Sequence, residues 1–320
     1  MRAASVALAF SLAAQVAAGE IDLDLPLDCT YGETCYIQRY VDLDPGPGVR
    51  DYRCGDLAGD SHNGTDFALH TLEEMRRGVP VLASAPGRVR ATRDGMPDRA
   101  FSAADEAALN GRDCGNGVVL VHEDGWETQY CHLKRDSIAV KRGDIVDRGD
   151  RLGLVGLSGR SNFPHVHLSV RHNGAEIDPF RPEPGETCAP SQRTLWNELP
   201  EYSPGGVIYA GFADHVPTLD TVADGTVQSA PLVRGSAALV LYALAYGGHA
   251  GDVMRLTIDG PQGNVLETDM VLEKSHPRLF RAAGKRLTEP AWPGGTYQGT
   301  VILLREGTEL GRRGVQLNLP

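Results

Sequence analysis

Hydrophobic and polar positions along this chain alternate in short runs far more often than they recur at helical spacing. From Gly78 onward, Val79-Pro80-Val81-Leu82-Ala83, Gly87-Arg88-Val89-Arg90, Gly117 to His122 and Glu127 to His132 are rich in β-branched residues and broken by turn formers. That pattern predicts antiparallel strands. Glu123-Asp124-Gly125-Trp126 places an Asp-Gly turn between the last two, which predicts a hairpin. The stretch Gly95 to Cys114 breaks this rhythm: Ser102, with Asp105 and Glu106 in the following turn, predicts a short helix over Ser102 to Leu109, inserted between strands. Five prolines between Arg181 and Pro204 discourage regular structure and mark a boundary. Beyond them, Ala237 to Leu244 and Gly299 to Leu304, with breaks at Asp259-Gly260 and Gly294-Gly295, predict a C-terminal β-sandwich. The expected fold class is mainly β. Its expected parts are a disulfide-containing segment over 20–54, an antiparallel-sheet unit over 55–190, a linker over 191–204 and the sandwich over 205–320.

The chain start changes the setting. Met1-Arg2, the apolar run Ala3 to Ala14 and the small residues up to Gly19 read as a secretory leader over 1–19, cut after Ala18 or Gly19. The run falls short of the roughly 20 residues that would span a bilayer, and no other segment is apolar for long enough. A soluble periplasmic or secreted protein is expected, without a transmembrane segment once the leader is removed. Export makes disulfides the natural use of the six cysteines, and no Cys-x-x-Cys is present. The expected pairs are Cys29–Cys35, Cys114–Cys131 and Cys54–Cys188. A formal charge of −11, one unit more negative without the leader, argues against nucleic acid or an anionic membrane as partner.

Candidate chemistry begins in Asn162-Phe163-Pro164-His165-Val166-His167-Leu168-Ser169-Val170. Side chains alternate faces along a strand, so His165 and His167 point one way while Val166, Leu168 and Val170 point the other. Ser61-His62-Asn63-Gly64-Thr65-Asp66 adds a histidine and a carboxylate four residues apart, in a turn leading into a strand rather than a helix because of Gly64 and Thr65. His62, Asp66 and one of the 165/167 pair would give a metal three protein ligands. A fourth position then stays open for water, whose pKa a catalytic zinc lowers toward neutrality. No His-Glu-x-x-His is present to supply a base. His132, at the end of a strand, and the unused member of the 165/167 pair are the candidates for taking a proton or stabilising an oxyanion. His70, His122 and His172 lack such company and read as structural. Asn63-Gly64-Thr65 matches a glycosylation sequon but lies inside the candidate site, and reads as chance.

Several motifs then fall in one order: His62-x-x-x-Asp66, Gly78-Val79-Pro80-Val81-x-Ala83, Gly115-Asn116-Gly117-Val118-Val119, Thr128-x-Tyr130-x-His132-Leu133, Gly143-Asp144-x-Val146-x-x-Gly149-Asp150-x-x-Gly153, His165-x-His167-Leu168, and Asn173-Gly174 to Asp178-Pro179. From about His62 to Phe180 the chain resembles the M23 family of zinc metallopeptidases, the LytM/lysostaphin type. The resemblance implies a small antiparallel β-sheet enzyme with a groove, cutting peptide bonds in peptidoglycan cross-links or glycine-rich bridges. It implies one Zn²⁺ held by His62, Asp66 and His167, with His132 and His165 assisting catalysis. The insertion Gly95 to Cys114 and Cys131 before His132 depart from the family pattern. Two rival readings share the fold: a non-catalytic LytM-like module that activates another wall hydrolase, and a secreted protease acting on proteins. For the C-terminal part the sequence suggests wall binding, an envelope protein partner, or a cap over the groove.

Overall fold

The computed structural model describes residues 20–183, 193–227 and 231–320. The expected leader, Cys188 and the centre of the proline-rich stretch lie outside these residues.

The first ten strands are β1 (Tyr36–Arg39), β2 (Thr65–Ala68), β3 (Pro80–Leu82), β4 (Gly87–Arg93), β5 (Asn116–Val121), β6 (Trp126–Leu133), β7 (Ile145–Val146), β8 (Arg151–Leu154), β9 (His165–His172) and β10 (Ala175–Ile177). Eight of them form one sheet in the order β1-β2-β9-β6-β5-β4-β7, with β10 paired to β9, while β3 and β8 pair apart from it. Every pairing is antiparallel. The hairpin read from Asp124-Gly125 joins β5 to β6. The inserted helix is present as a 3₁₀ turn at Ala103–Asp105 running into α-helix at Glu106–Leu109. Disulfides Cys29–Cys35 and Cys114–Cys131 join the pairs expected from spacing. One strand escaped the sequence reading: β1, in the 20–54 segment, forms an edge of the main sheet.

Seven strands follow: β11 (Gly206–Ala213), β12 (Ala238–Gly248), β13 (Val253–Gly260), β14 (Gly263–Val271), β15 (His276–Arg286), β16 (Gly295–Arg305) and β17 (Thr308–Leu319). They form a three-stranded sheet, β11-β12-β15, and a four-stranded one, β14-β13-β16-β17. Leu239, Leu241, Ala243 and Ala245 of β12 share an apolar cluster with Met254, Leu256, Ile258, Val301 and Leu303 of the facing sheet, so the two make the expected β-sandwich. The alternate residues Tyr242, Leu244 and Tyr246 belong instead to the core of the first sheet. With both faces covered, β12 is an unbroken apolar run, which is why its sequence shows none of the alternation of a half-exposed strand. Tyr246 meets Tyr36 of β1 at 4.8 Å between ring centroids, so the sandwich packs directly on the edge of the first sheet.

Candidate metal centre

Strand order decides which side chains meet. β9 lies between β2 and β6, with Asp66 opposite His167, Ala68 opposite His165, and Cys131 opposite His167. Residues directly opposite in an antiparallel pair share a face, so Asp66 and the two histidines of β9 converge. His62 enters from the turn before β2, where its Nδ1 donates to the Tyr40 carbonyl at 2.7 Å. That bond leaves Nε2 facing Asp66 Oδ1 at 3.1 Å. His167 presents Nδ1 to the same oxygen at 2.9 Å, while its Nε2 lies 3.0 Å from Ser169 Oγ. One atom from each of His62, Asp66 and His167 lies within 4.8 Å of the others. Gly64 makes this approach possible, because a Cβ there would collide with the His167 imidazole and lie 2.6 Å from the Leu168 carbonyl oxygen.

His132 arrives by a different device. Strict alternation would put it on the face of Tyr130, which is fully buried and bonded to the backbone of Ser84. Between Asn116–Leu133 and Val118–Tyr130 the β5–β6 register slips, and His132 takes a left-handed φ of 63°. This bulge turns His132 into the groove beside Cys131, which alternation already places there. The His132 N–H bonds to the Cys114 carbonyl at 2.8 Å, beside the Cys114–Cys131 bridge. Its Nδ1 meets the Ser158 carbonyl at 2.8 Å, leaving Nε2 for the groove. His165 is held likewise: Nδ1 meets the Phe163 carbonyl at 2.8 Å, the ring stacks on Phe163 at 4.2 Å, and Nε2 lies 3.4 Å from Asp66 Oδ1.

Burial opposes a charge on Asp66, but His62, His165 and the hydrogen bonds from His165 and His167 outweigh it and hold the carboxyl well below its usual range. Burial also opposes a charge on His62, yet Asp66 wins and raises that imidazole. His132 goes the other way: burial, reinforced by His165 and His167, pushes it well below its ordinary value and keeps it neutral at neutral pH. Burial lowers His167 too, against the pull of Asp66. Three imidazole nitrogens thus face one buried carboxylate oxygen, with the two bonded to Tyr40 and Ser169 fixed from behind. Nitrogen and carboxylate donors of this kind fit a divalent cation such as zinc, and the outer bonds orient the ligands.

The four histidines and one aspartate read from the sequence therefore meet in one groove of about 770 Å³. His70, His122 and His172 lie elsewhere: His70 is buried beside Glu74, His122 bonds Pro86 and Thr128, and His172 stacks on Trp126. The insertion supplies Phe101 to the groove wall, anchored by a 2.8 Å bond from its N–H to the Ser161 carbonyl. Pro277 and Arg278 of β15 close another side. Tyr40, Ser158 and Phe163, which orient the imidazoles, went unread. Ser169 had a signal, since it stands two residues after His167 on the same strand face.

The model of peptidase family M23 matches residues 60–179, from the turn that carries His62 to the end of the motif at Asp178-Pro179. Over those residues the chain is similar to the M23 peptidase family. Over 120 residues the chain is 36% identical to the peptidoglycan DD-endopeptidase ShyA and 32% identical to ShyB, both of Vibrio cholerae. Each alignment covers 38% of this chain and 22% of the relative, so the similarity spans about a fifth of those proteins' length. Among solved structures, a variant of the catalytic domain of the M23 protein EnpA from Enterococcus faecalis is 27% identical, with a TM-score of 0.32 over 47% of this chain and 92% of that one. All six candidate site residues outside the C-terminal sandwich, His62, Asp66, His132, His165, His167 and Ser169, fall within the M23 match. The sandwich lies beyond it. Among the described residues no helix is long and apolar enough to cross a membrane.

Proposed function

We propose that this chain is an exported zinc metalloendopeptidase that hydrolyses peptide bonds of peptidoglycan cross-links. The observation that carries this reading is the convergence of His62, Asp66 and His167 on one point, with His132 and His165 lining the same groove. The names of the relatives, peptidoglycan DD-endopeptidases and a DD-carboxypeptidase/endopeptidase of Neisseria, support the substrate class. In this reading residues 55–190 are the peptidase unit, 205–320 are a separate sandwich domain joined through 191–204, and the leader over 1–19 carries the chain out of the cytoplasm.

His62 through Nε2, Asp66 through Oδ1 and His167 through Nδ1 would hold one Zn²⁺. When bound, the ion supplies Lewis-acid polarisation of the scissile carbonyl and activation of water. The Asp66 carboxylate offsets part of its charge and leaves a net positive centre, which suits an anionic intermediate. His132 has Nδ1 engaged by a backbone carbonyl, so its Nε2 is free to accept a proton, while His165, with Nδ1 likewise engaged, turns its Nε2 toward Asp66 and takes part when that contact is given up. The imidazole that accepts it becomes a donor toward the developing oxyanion and then toward the leaving amine. A non-catalytic activator would have no use for this second pair of oriented imidazoles.

The test is digestion of purified peptidoglycan with and without chelator, reading new amino termini and the masses of the released muropeptides. Chelator-sensitive termini, restored by added zinc, are expected. Products that persist in chelator, or none from zinc-loaded protein, would overturn the assignment.

A further inference from the structure

Arg278 is the odd residue of the groove. It belongs to β15, opposite Tyr246 of β12, and its strand face carries Phe280 and Ala282 against the first sheet's core. The preceding carbonyl, Pro277, accepts a 3.0 Å bond from Gln38 Nε2 of β1, and Gln38 Oε1 in turn accepts from the Tyr36 hydroxyl at 2.9 Å. The arginine is thus fixed to the groove wall across the contact between the sandwich and the first sheet.

The residue is partly buried, and part of its guanidinium is left without acceptors. Nε and Nη2 are both shut off from solvent without a hydrogen-bond partner. Of the other groove arginines, Arg160 is committed to Glu106 and Asp113 and Arg171 to Glu127 and Gln129, while Arg39 lines the wall at β1. Of the groove's carboxylates, Asp66 is engaged by three imidazoles and Asp113 by Arg160, while Asp60, on the exposed rim, accepts from the Ser61 hydroxyl at 3.2 Å. Arg278 has only the Phe163 ring, 5.6 Å from its Cζ, and that same ring stacks on His165. A guanidinium with two nitrogens left without acceptors gains from a ligand that supplies them, and a carboxylate matches its fork with two parallel bonds.

The geometry points to Arg278 as a carboxylate-binding subsite: the C-terminal sandwich contributes the residue that selects peptides carrying a free carboxylate a few residues from the bond facing the metal centre. This rests on the peptidase reading above and narrows its substrate class. The carboxylate could be a chain terminus or an acidic side chain, chemically alike at this distance. A chain that is acidic overall and places an unpaired cation in the groove of its metal centre concentrates anionic ligands there rather than on its surface.

The experiment uses the full, zinc-loaded chain and three synthetic muropeptide dimers: all carboxylates free, the terminal carboxylate amidated, and the side-chain carboxylate amidated. Hydrolysis gives kcat and KM, and calorimetry with the corresponding single-stem peptides gives affinity independently of turnover. At least about tenfold weaker binding is expected when one of the two carboxylates is amidated, and which one identifies its source. Arg278→Gln should erase that preference, and Arg278→Lys should restore part of it, with zinc content equal in all. Equal preference in wild type and Arg278→Gln, or equal weakening of free and amidated peptides, would overturn the subsite. Carboxylate-selective, Arg278-dependent binding without hydrolysis would keep the subsite and defeat the peptidase reading. Hydrolysis blind to amidation would do the reverse.

Discussion

Residue 64 has no room for a side chain, because the His167 imidazole and the Leu168 carbonyl already occupy the space. Gly64→Ala should therefore push His167 off its position, lowering zinc affinity at least tenfold and stability by about 1–3 kcal/mol; metal titration and thermal melting check both. The ligand and proton-handling roles separate by a similar comparison. His167→Ala should lose bound zinc and hydrolysis together, whereas His132→Ala should keep zinc and lose turnover. Equal zinc loss in both, by elemental analysis, would reject the division. Asp178 gives a pH signature away from the metal. Burial, with Asp51 adding to it, pushes its carboxyl up to about 7, and Oδ2 has no partner while Oδ1 accepts the Phe180 N–H. The folded state therefore holds a proton that the unfolded state releases near pH 4, so stability falls as pH rises from about 4 to 7 and then levels off. Asp178→Asn should flatten that decline in denaturant unfolding, by at most about 4 kcal/mol across the window. At this scale the donors were legible because histidine and aspartate advertise their chemistry. The carbonyls of Tyr40, Phe163 and Ser158 were not, since a backbone acceptor looks the same at every residue.

Among elements, β6 shows how a strand can hide its own meaning. By alternation His132 belongs with Tyr130 in the core, and only the bulge, with its left-handed φ at a non-glycine residue, turns it to the groove. Motif order found His132 where periodicity would have misplaced it. The Cys114–Cys131 bridge and the bond from the His132 N–H to Cys114 hold this bend. Replacing both cysteines by serine should cost about 3 kcal/mol, as expected for closing a loop of this length, and should lower kcat while zinc stays bound. Zinc loss instead would show that the bend also supports the ligands on β2 and β9. β1 was illegible for another reason. Its four residues lie in a cysteine-bearing stretch with no partner strand nearby in sequence, and an edge strand is specified by what it pairs with, not by its own pattern.

For the whole molecule, the proline-rich stretch suggests two beads on a string, but β12 argues for one body. Tyr242, Leu244 and Tyr246 lie in the first sheet's core while their neighbours fill the sandwich. Heating the zinc-free protein should give a single calorimetric transition, and a chain ending at residue 204 should bind a hydrophobic dye and aggregate. Two separate transitions, or a soluble compact fragment, would show that the shared face contributes little. The same shared strand bears on the order in which a nascent chain becomes competent. The histidines and aspartate of the candidate metal centre are all synthesised by residue 167, yet the wall bearing Arg278 can form only after β15 has paired with β12, over a hundred residues later. A partly made chain can thus present its metal-binding residues while lacking the side of the groove that selects a peptide. Selectivity is delivered last, and only a finished molecule has it.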